Sequence, residues 1–208
     1  MNTTIDEYLE KLSSKSPIPG GGGAAAIASA IGTATAQMVC NLSIGKKKLI
    51  NYEEINLKTC HKLEKIMNDL KILSKKDEEV FKPLSEAYKI QAITEKEKKA
   101  KQKILEPLLD NAAKVPLEIM EKTYDAVCLI ENVVNTTTKL AKSDIGVSIA
   151  ILEAGLKSEI LNVYINTNML INSKKAETYN NKAEEMLNLG IEKCDKIYKA
   201  IKDSFKKE

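Results

Sequence analysis

Apolar residues recur at intervals of three and four along almost the whole chain, and strict alternation is nowhere sustained. That period predicts helices and no strand. Ile5, Tyr8, Leu9 and Leu12 fall on one side of a short helix that Thr3 or Thr4 can cap. A second helix is predicted from about Ala24 to Ser43, after a loop over Ser13–Gly23. Gly45 suits its C-terminus, and Lys46, Lys47 and Lys48 suit the negative end of its dipole. From about Glu53 to Ile93, residues Leu57, Leu63, Ile66, Leu70, Leu73, Val80, Phe81 and Leu84 keep helical spacing, with Pro83 expected to kink or reset the helix. Thr94, with Glu97 three residues on, has the capping-box pattern of another helix start. Pro107 and Pro116 predict kinks or short breaks in the apolar pattern after that start. Ser143 reads as the cap of a helix reaching about Asn172, with Ile145, Ile149, Leu152, Leu156, Val163 and Leu170 in one stripe, and a last helix covers about Lys174 to Phe205. No composition shift marks a linker, so residues 1–208 read as one all-α domain of long, roughly antiparallel helices.

Composition sharpens this only in places. Hydrophobic content of 43% supplies a full core, but aromatics are 4% and Trp is absent, so the core must be built of Ile, Leu, Val, Ala and Met. The charge balance, 32 basic against 29 acidic residues, gives a net charge of +3 with scattered lysines and argues against a nucleic-acid partner. Cys40, Cys60, Cys128 and Cys194 form no CxxC pair, so zinc and redox signatures are lacking. They read as buried or half-buried thiols in a reducing compartment, and a cytoplasmic location is expected. Met1 to Glu7 lacks the basic-then-apolar order of a secretory signal. The uncharged run from Pro17 to Gly45 raises the question of a membrane. Its Ala, Gly, Ser and Thr content, with Gln37 and Asn41 inside, favours a buried, closely packed helix instead, and no membrane partner is expected.

That run also holds the first candidate chemistry. Four consecutive glycines, Gly20 to Gly23, precede a helix. Glycine permits close approach of the backbone, and a helix start presents unpaired N–H groups, which together suit an anion or polar ligand. A phosphate loop is excluded, because Cys40 stands where its first glycine belongs and Lys47 follows Lys46. His61 is the sole histidine and reads as a surface or packing residue, so no metal centre is expected. Asp77 lies beside Glu78 and Glu79 and one turn before Phe81. At the edge of an apolar face such a carboxyl can be desolvated and carry protons; the same residues also read as a plain exposed acidic cluster. Asn162 and Asn166, four apart, can bind a ligand or tie helices together.

In this order the features resemble the cyclodeaminase/cyclohydrolase family. It comprises the C-terminal domain of formiminotransferase-cyclodeaminase and stand-alone methenyltetrahydrofolate cyclohydrolases. The matching pieces are Ser16-Pro17-Ile18-Pro19-Gly20-Gly21-Gly22, Met38 to Lys47, Asp77-Glu78-Glu79-Val80-Phe81, Ala113-Lys114-Val115-Pro116, Ser143-Asp144-Ile145-Gly146-Val147 and Asn162-Val163-Tyr164-Ile165-Asn166. The resemblance implies a helical bundle, a homodimer at least, a tetrahydrofolate derivative as substrate, and no cofactor beyond that substrate. It implies Asp77 as the catalytic acid–base. By the same resemblance Pro19, Gly20, Gly21 and Gly22 approach the pterin or its one-carbon unit, Lys46 and Lys47 meet the glutamate tail, and Asp144, Asn162 and Asn166 shape the pocket. The first expectation is formiminotetrahydrofolate cyclodeaminase, the alternative is methenyltetrahydrofolate cyclohydrolase, and the third is a helical folate-binding or scaffold protein without catalysis. Gly23 replaces the serine that often follows the third glycine, and Ala87-Tyr88-Lys89-Ile90-Gln91 departs from the usual Ala-x-x-Leu-Pro-Lys.

Overall fold

A computed structural model of the chain describes residues 3–206, and among these there is no strand. The helices are α1 (Ile5–Leu12), α2 (Gly21–Ser43), α3 (Glu53–Tyr88), α4 (Glu95–Val133), α5 (Lys142–Thr167) and α6 (Ser173–Asp203). Short 3-10 turns at Lys47–Tyr52 and Lys139–Ala141 lead into α3 and α5. α2 lies between α3 and α5, α4 closes the other side against both, and α6 covers α4 and α5.

Small residues let α2 and α5 come close. Ser148 donates its hydroxyl to Gly32 O at 2.7 Å, Gly155 faces Ser29, and Gly21 faces Asn162, so the two helices run antiparallel. A Cβ on Gly32 would meet Leu152 Cγ at 3.0 Å and Ser148 O at 3.1 Å, tighter than packed atoms sit. Leu63, Leu70, Ile119, Ile130, Ile145, Ile149 and Leu152 form the main core, all shielded from solvent. Each contributes about 1.5–3 kcal/mol through burial. α2 is long and apolar enough to cross a membrane by length and composition, but here it is largely enclosed by its neighbours.

The expected capping box at Thr94 forms, and Thr4, one of the two candidate caps of α1, forms a second. Thr4 pairs with Glu7 at the start of α1, and Thr94 pairs with Glu97 at the start of α4. Several details differ. α2 begins at Gly21, so three glycines expected in the loop form its first turn; N–H groups there make no intrahelical bond, and poor helix formers are tolerated. Ser143 is not a cap: α5 starts at Lys142 out of the 3-10 turn, and the Ser143 hydroxyl donates back to Leu140 O. α5 also stops at Thr167, leaving Leu170 to pack against the small cluster of Leu84, Ala87, Leu105, Leu109 and Ala112, and Asn172 caps α6 by accepting from Lys175 N–H. The prolines do not break their helices, since α3 continues through Pro83 and α4 through Pro107 and Pro116. Each leaves the carbonyl four residues earlier without its helical donor, and at Pro116 that carbonyl is used by the site.

Candidate functional site

The glycine start of α2 lies against the middle of α3. Gly23 N–H donates to Asp77 Oδ2 at 2.9 Å, and Ser74, one turn before Asp77, donates its hydroxyl to Gly23 O at 3.1 Å. A Cβ on Gly22 would sit 2.7 Å from Asp77 Oδ1, so the approach requires glycine at this position. The Ser74 hydroxyl lies 3.4 Å from where a Cβ of residue 23 would be. The first intrahelical bond of α2 is given by Ala24 to Gly20 O, which leaves Gly21 and Gly22 N–H facing outward at the positive end of the helix.

α5 supplies the opposite wall. Asn166 Nδ2 donates to Asn162 O at 2.8 Å and to Ala112 O at 3.1 Å. Ala112 O is the carbonyl that Pro116 deprives of its helical partner, so the proline of α4 fixes an amide of α5. Asn162 Nδ2 donates to Ser158 O at 3.2 Å and to Glu159 Oε2 at 3.4 Å. Both amide NH2 groups are thus occupied by protein acceptors, and both Oδ1 atoms are available to accept.

Between these walls lies a cavity of about 220 Å³, lined by Pro17, Ile18, Gly20, Gly21, Gly22, Asp77, Val80, Phe81, Tyr88, Ala112, Asn162, Ile165 and Asn166. Two backbone donors, three oxygen acceptors and apolar side walls suit a flat heterocycle with its own donors and acceptors. Burial pushes the Asp77 carboxyl above the ordinary aspartate range; the Gly23 N–H bond opposes this, and the neighbouring Glu78 charge adds to it. A carboxyl so placed can take a proton from a bound ligand and return it.

Asp77, Gly20, Gly21, Gly22, Asn162 and Asn166 therefore meet in one cavity. Pro19 does not line it: it is buried, and it borders a neighbouring groove with Tyr8, Lys11 and Lys82. Lys46 and Lys47 lie beyond the far end of α2, about 30 Å from Gly22 along the helix. Asp144 lies at the opposite end of α5 from Asn162, about 27 Å away. Within one chain, then, these three do not reach the cavity. His61 is exposed, Cys40, Cys60 and Cys194 are buried and Cys128 is half-buried. No group of three or more His, Cys, Asp or Glu among the described residues is placed to hold a metal. Ser74, Ala112 and Glu159 escaped sequence analysis because each reads there as an ordinary helical residue.

The profile of the formiminotransferase-cyclodeaminase family matches residues 4–185, a span that includes every residue lining the cavity. The chain belongs to this family. It is 35% identical over 201 residues to a methenyltetrahydrofolate cyclohydrolase of Methylorubrum extorquens, with 97% of each chain covered. It is 27% identical over 175 residues to the formimidoyltransferase-cyclodeaminase of Gallus gallus, but covers 32% of that longer protein. The crystal structure of a formiminotetrahydrofolate cyclodeaminase from Thermotoga maritima superposes with a TM-score of 0.80 at 25% identity, covering 97% of this chain and 95% of that one.

Proposed function

We propose that this family member is a methenyltetrahydrofolate cyclohydrolase, with Asp77 as its acid–base group. The observation that carries the choice over the first expectation is end-to-end similarity to a stand-alone cyclohydrolase, at 35% identity across 97% of both chains. In this reading the pterin lies between Phe81 and the α5 wall, where Asn162 Oδ1 and Asn166 Oδ1 accept from its N–H groups. Water oxygen bonds to the methenyl carbon while Asp77 takes one of its protons, giving a neutral carbinolamine. The bond from N5 to that carbon then breaks as the hydroxyl becomes the formyl carbonyl. The hydroxyl proton passes to N5, and the first proton leaves Asp77 for solvent. The products are 10-formyltetrahydrofolate and one proton. Gly21 and Gly22 N–H stabilise the oxygen as it gains negative charge, a contribution of about 3–4 kcal/mol per donor in comparable sites.

A cyclodeaminase reading is favoured by the similarity to the Thermotoga maritima enzyme. There N10 would attack the formimino carbon, Asp77 would take the N10 proton, and departing ammonia would receive it. The two are separated by following the near-ultraviolet absorbance of methenyltetrahydrofolate. Its loss above the buffer rate marks the hydrolase; its appearance from formiminotetrahydrofolate with ammonia marks the deaminase. Binding with neither change would mark a folate-binding protein and refute both.

A homodimer belongs to the same proposal. Ile31, Val147, Leu161 and Ile165 are at least half exposed on the outer faces of α2 and α5, a surface suited to a second copy. Antiparallel pairing there would carry Lys46, Lys47 and Asp144 of the second copy toward the cavity of the first. Light scattering checks this, and a monomer at micromolar concentration would refute it.

A further inference from the structure

Glu159 sits on α5 one turn before Asn162 and has no solvent exposure. Its Oε2 accepts from Asn162 Nδ2 at 3.4 Å, while its Oε1 has no partner. An ionised carboxylate enclosed without a cation costs several kcal/mol, which the neutral acid avoids. Among the described residues, the surroundings offer no compensating cation. α2 carries no charge between Pro17 and Gly45. α4 has Lys114 and Glu118 on this stretch, but they are engaged with Asp110 and Lys76. α6 presents Ala183 and Met186 to this part of α5. From α3 comes another carboxyl, Asp77, whose negative charge acts on Glu159 and, with burial as the larger cause, holds its proton on.

We propose that Glu159 is a positioning residue of the active site: a buried neutral acid that orients the Asn162 amide and stays protonated while Asp77 is ionised. Asp77 is the ionised member because it alone receives the Gly23 N–H bond and lies at the positive end of α2. Two interacting acids titrate as a pair, and between the two steps one proton is held. Glu159 neutrality keeps Asp77 a usable base across that interval, and ionisation of Glu159 at higher pH ends it. By accepting from Nδ2, Glu159 also turns Asn162 Oδ1 toward Gly21, 3.8 Å from the position of a Cβ there. The role in turnover rests on the folate reading above; the protonation state does not.

The test is carbon-13 NMR of substrate-free protein labelled at the glutamate side-chain carboxyl, with Glu159 assigned by the signal lost in Glu159→Gln. A neutral-acid resonance is expected at pH 7, ionising only at higher pH. In Asp77→Asn, which removes the neighbouring charge, that ionisation should shift to lower pH. A Glu159 resonance already ionised at pH 7, or a midpoint unmoved by Asp77→Asn, would overturn the proposal. In kinetics, Glu159→Leu should raise KM several-fold more than Glu159→Gln, because Gln retains an acceptor for Asn162. Equal KM values would remove the positioning role. If the Leu variant does not fold, the NMR titration of Asp77→Asn against the parent protein still decides.

Discussion

Replacing Gly22 by Ala adds one carbon where the structure has no room. The new Cβ would lie 2.7 Å from Asp77 Oδ1 and 3.0 Å from both Cγ and Oδ2. Packed carbon contacts begin near about 3.5 Å, so the carboxyl or the helix start must retreat by roughly 0.8 Å. Asp77 is short and held by Gly23 N–H at 2.9 Å; the retreat stretches that bond and rotates the carboxyl away from the reacting carbon. A misplacement near 1 Å costs about 100-fold in rate. Overpacking adds a stability loss of about 1–3 kcal/mol. Gly21→Ala is the control: its Cβ would meet Asn162 Oδ1 at 3.8 Å, an ordinary contact. The assay is kcat/KM from methenyltetrahydrofolate absorbance, with urea unfolding for stability. Gly22→Ala should lose about 100-fold while Gly21→Ala loses less than about tenfold. Equal effects at the two positions would refute the close contact with Asp77.

Asp77→Asn should lower kcat at least about 100-fold, the lower end for a general base, with helical circular dichroism unchanged. Because the Asp77 carboxyl is raised, and its ionised form is the base of the proposed hydrolysis, kcat/KM should rise with pH and level off only above the ordinary aspartate range; a profile flat down to pH 4 would contradict this. Pro116→Ala restores an N–H that competes for Ala112 O, so Asn166 should loosen and KM rise several-fold with a smaller change in kcat, measured in the same assay. Glu159→Gln should stabilise the protein at neutral pH and not at pH 4. A raised native carboxyl means that the folded state binds the extra proton, so stability falls as pH rises from the unfolded glutamate value, by at most about 1.4 kcal/mol per pH unit, until the native group ionises. Urea midpoints across pH measure the part of that slope that Gln removes.

Helix content and most of the core stripe were legible because burial imposes one period on each helix. Ile145, Ile149, Leu152, Leu156 and Val163 are all fully buried, as their spacing requires. Where two physical terms compete, local pattern misleads. Glycine and proline disfavour helices by local propensity, yet Gly21 to Gly23 form a helical turn and Pro116 lies within α4, because the tertiary contacts they permit outweigh that cost.

The site divides along the same line. Asp77, the glycines and the two asparagines were legible through a resemblance that spans the chain, whereas their protein partners were not, since those depend on side chains meeting across helices. Ser74 lies 51 residues from Gly23, and Ala112 lies 54 from Asn166. Glu159 is the sharpest case. In the sequence it is one acid among 29 acidic residues, two positions after Lys157, and surface exposure is its natural reading. α5 is enclosed on several sides, with α2, α4 and α6 all packed against it, and the turn that carries Asn162 into the cavity carries Glu159 into the interior. A carboxyl in that position is stable only by keeping its proton, so the fold favours a neutral acid on the same helical turn that carries Asn162 into the cavity.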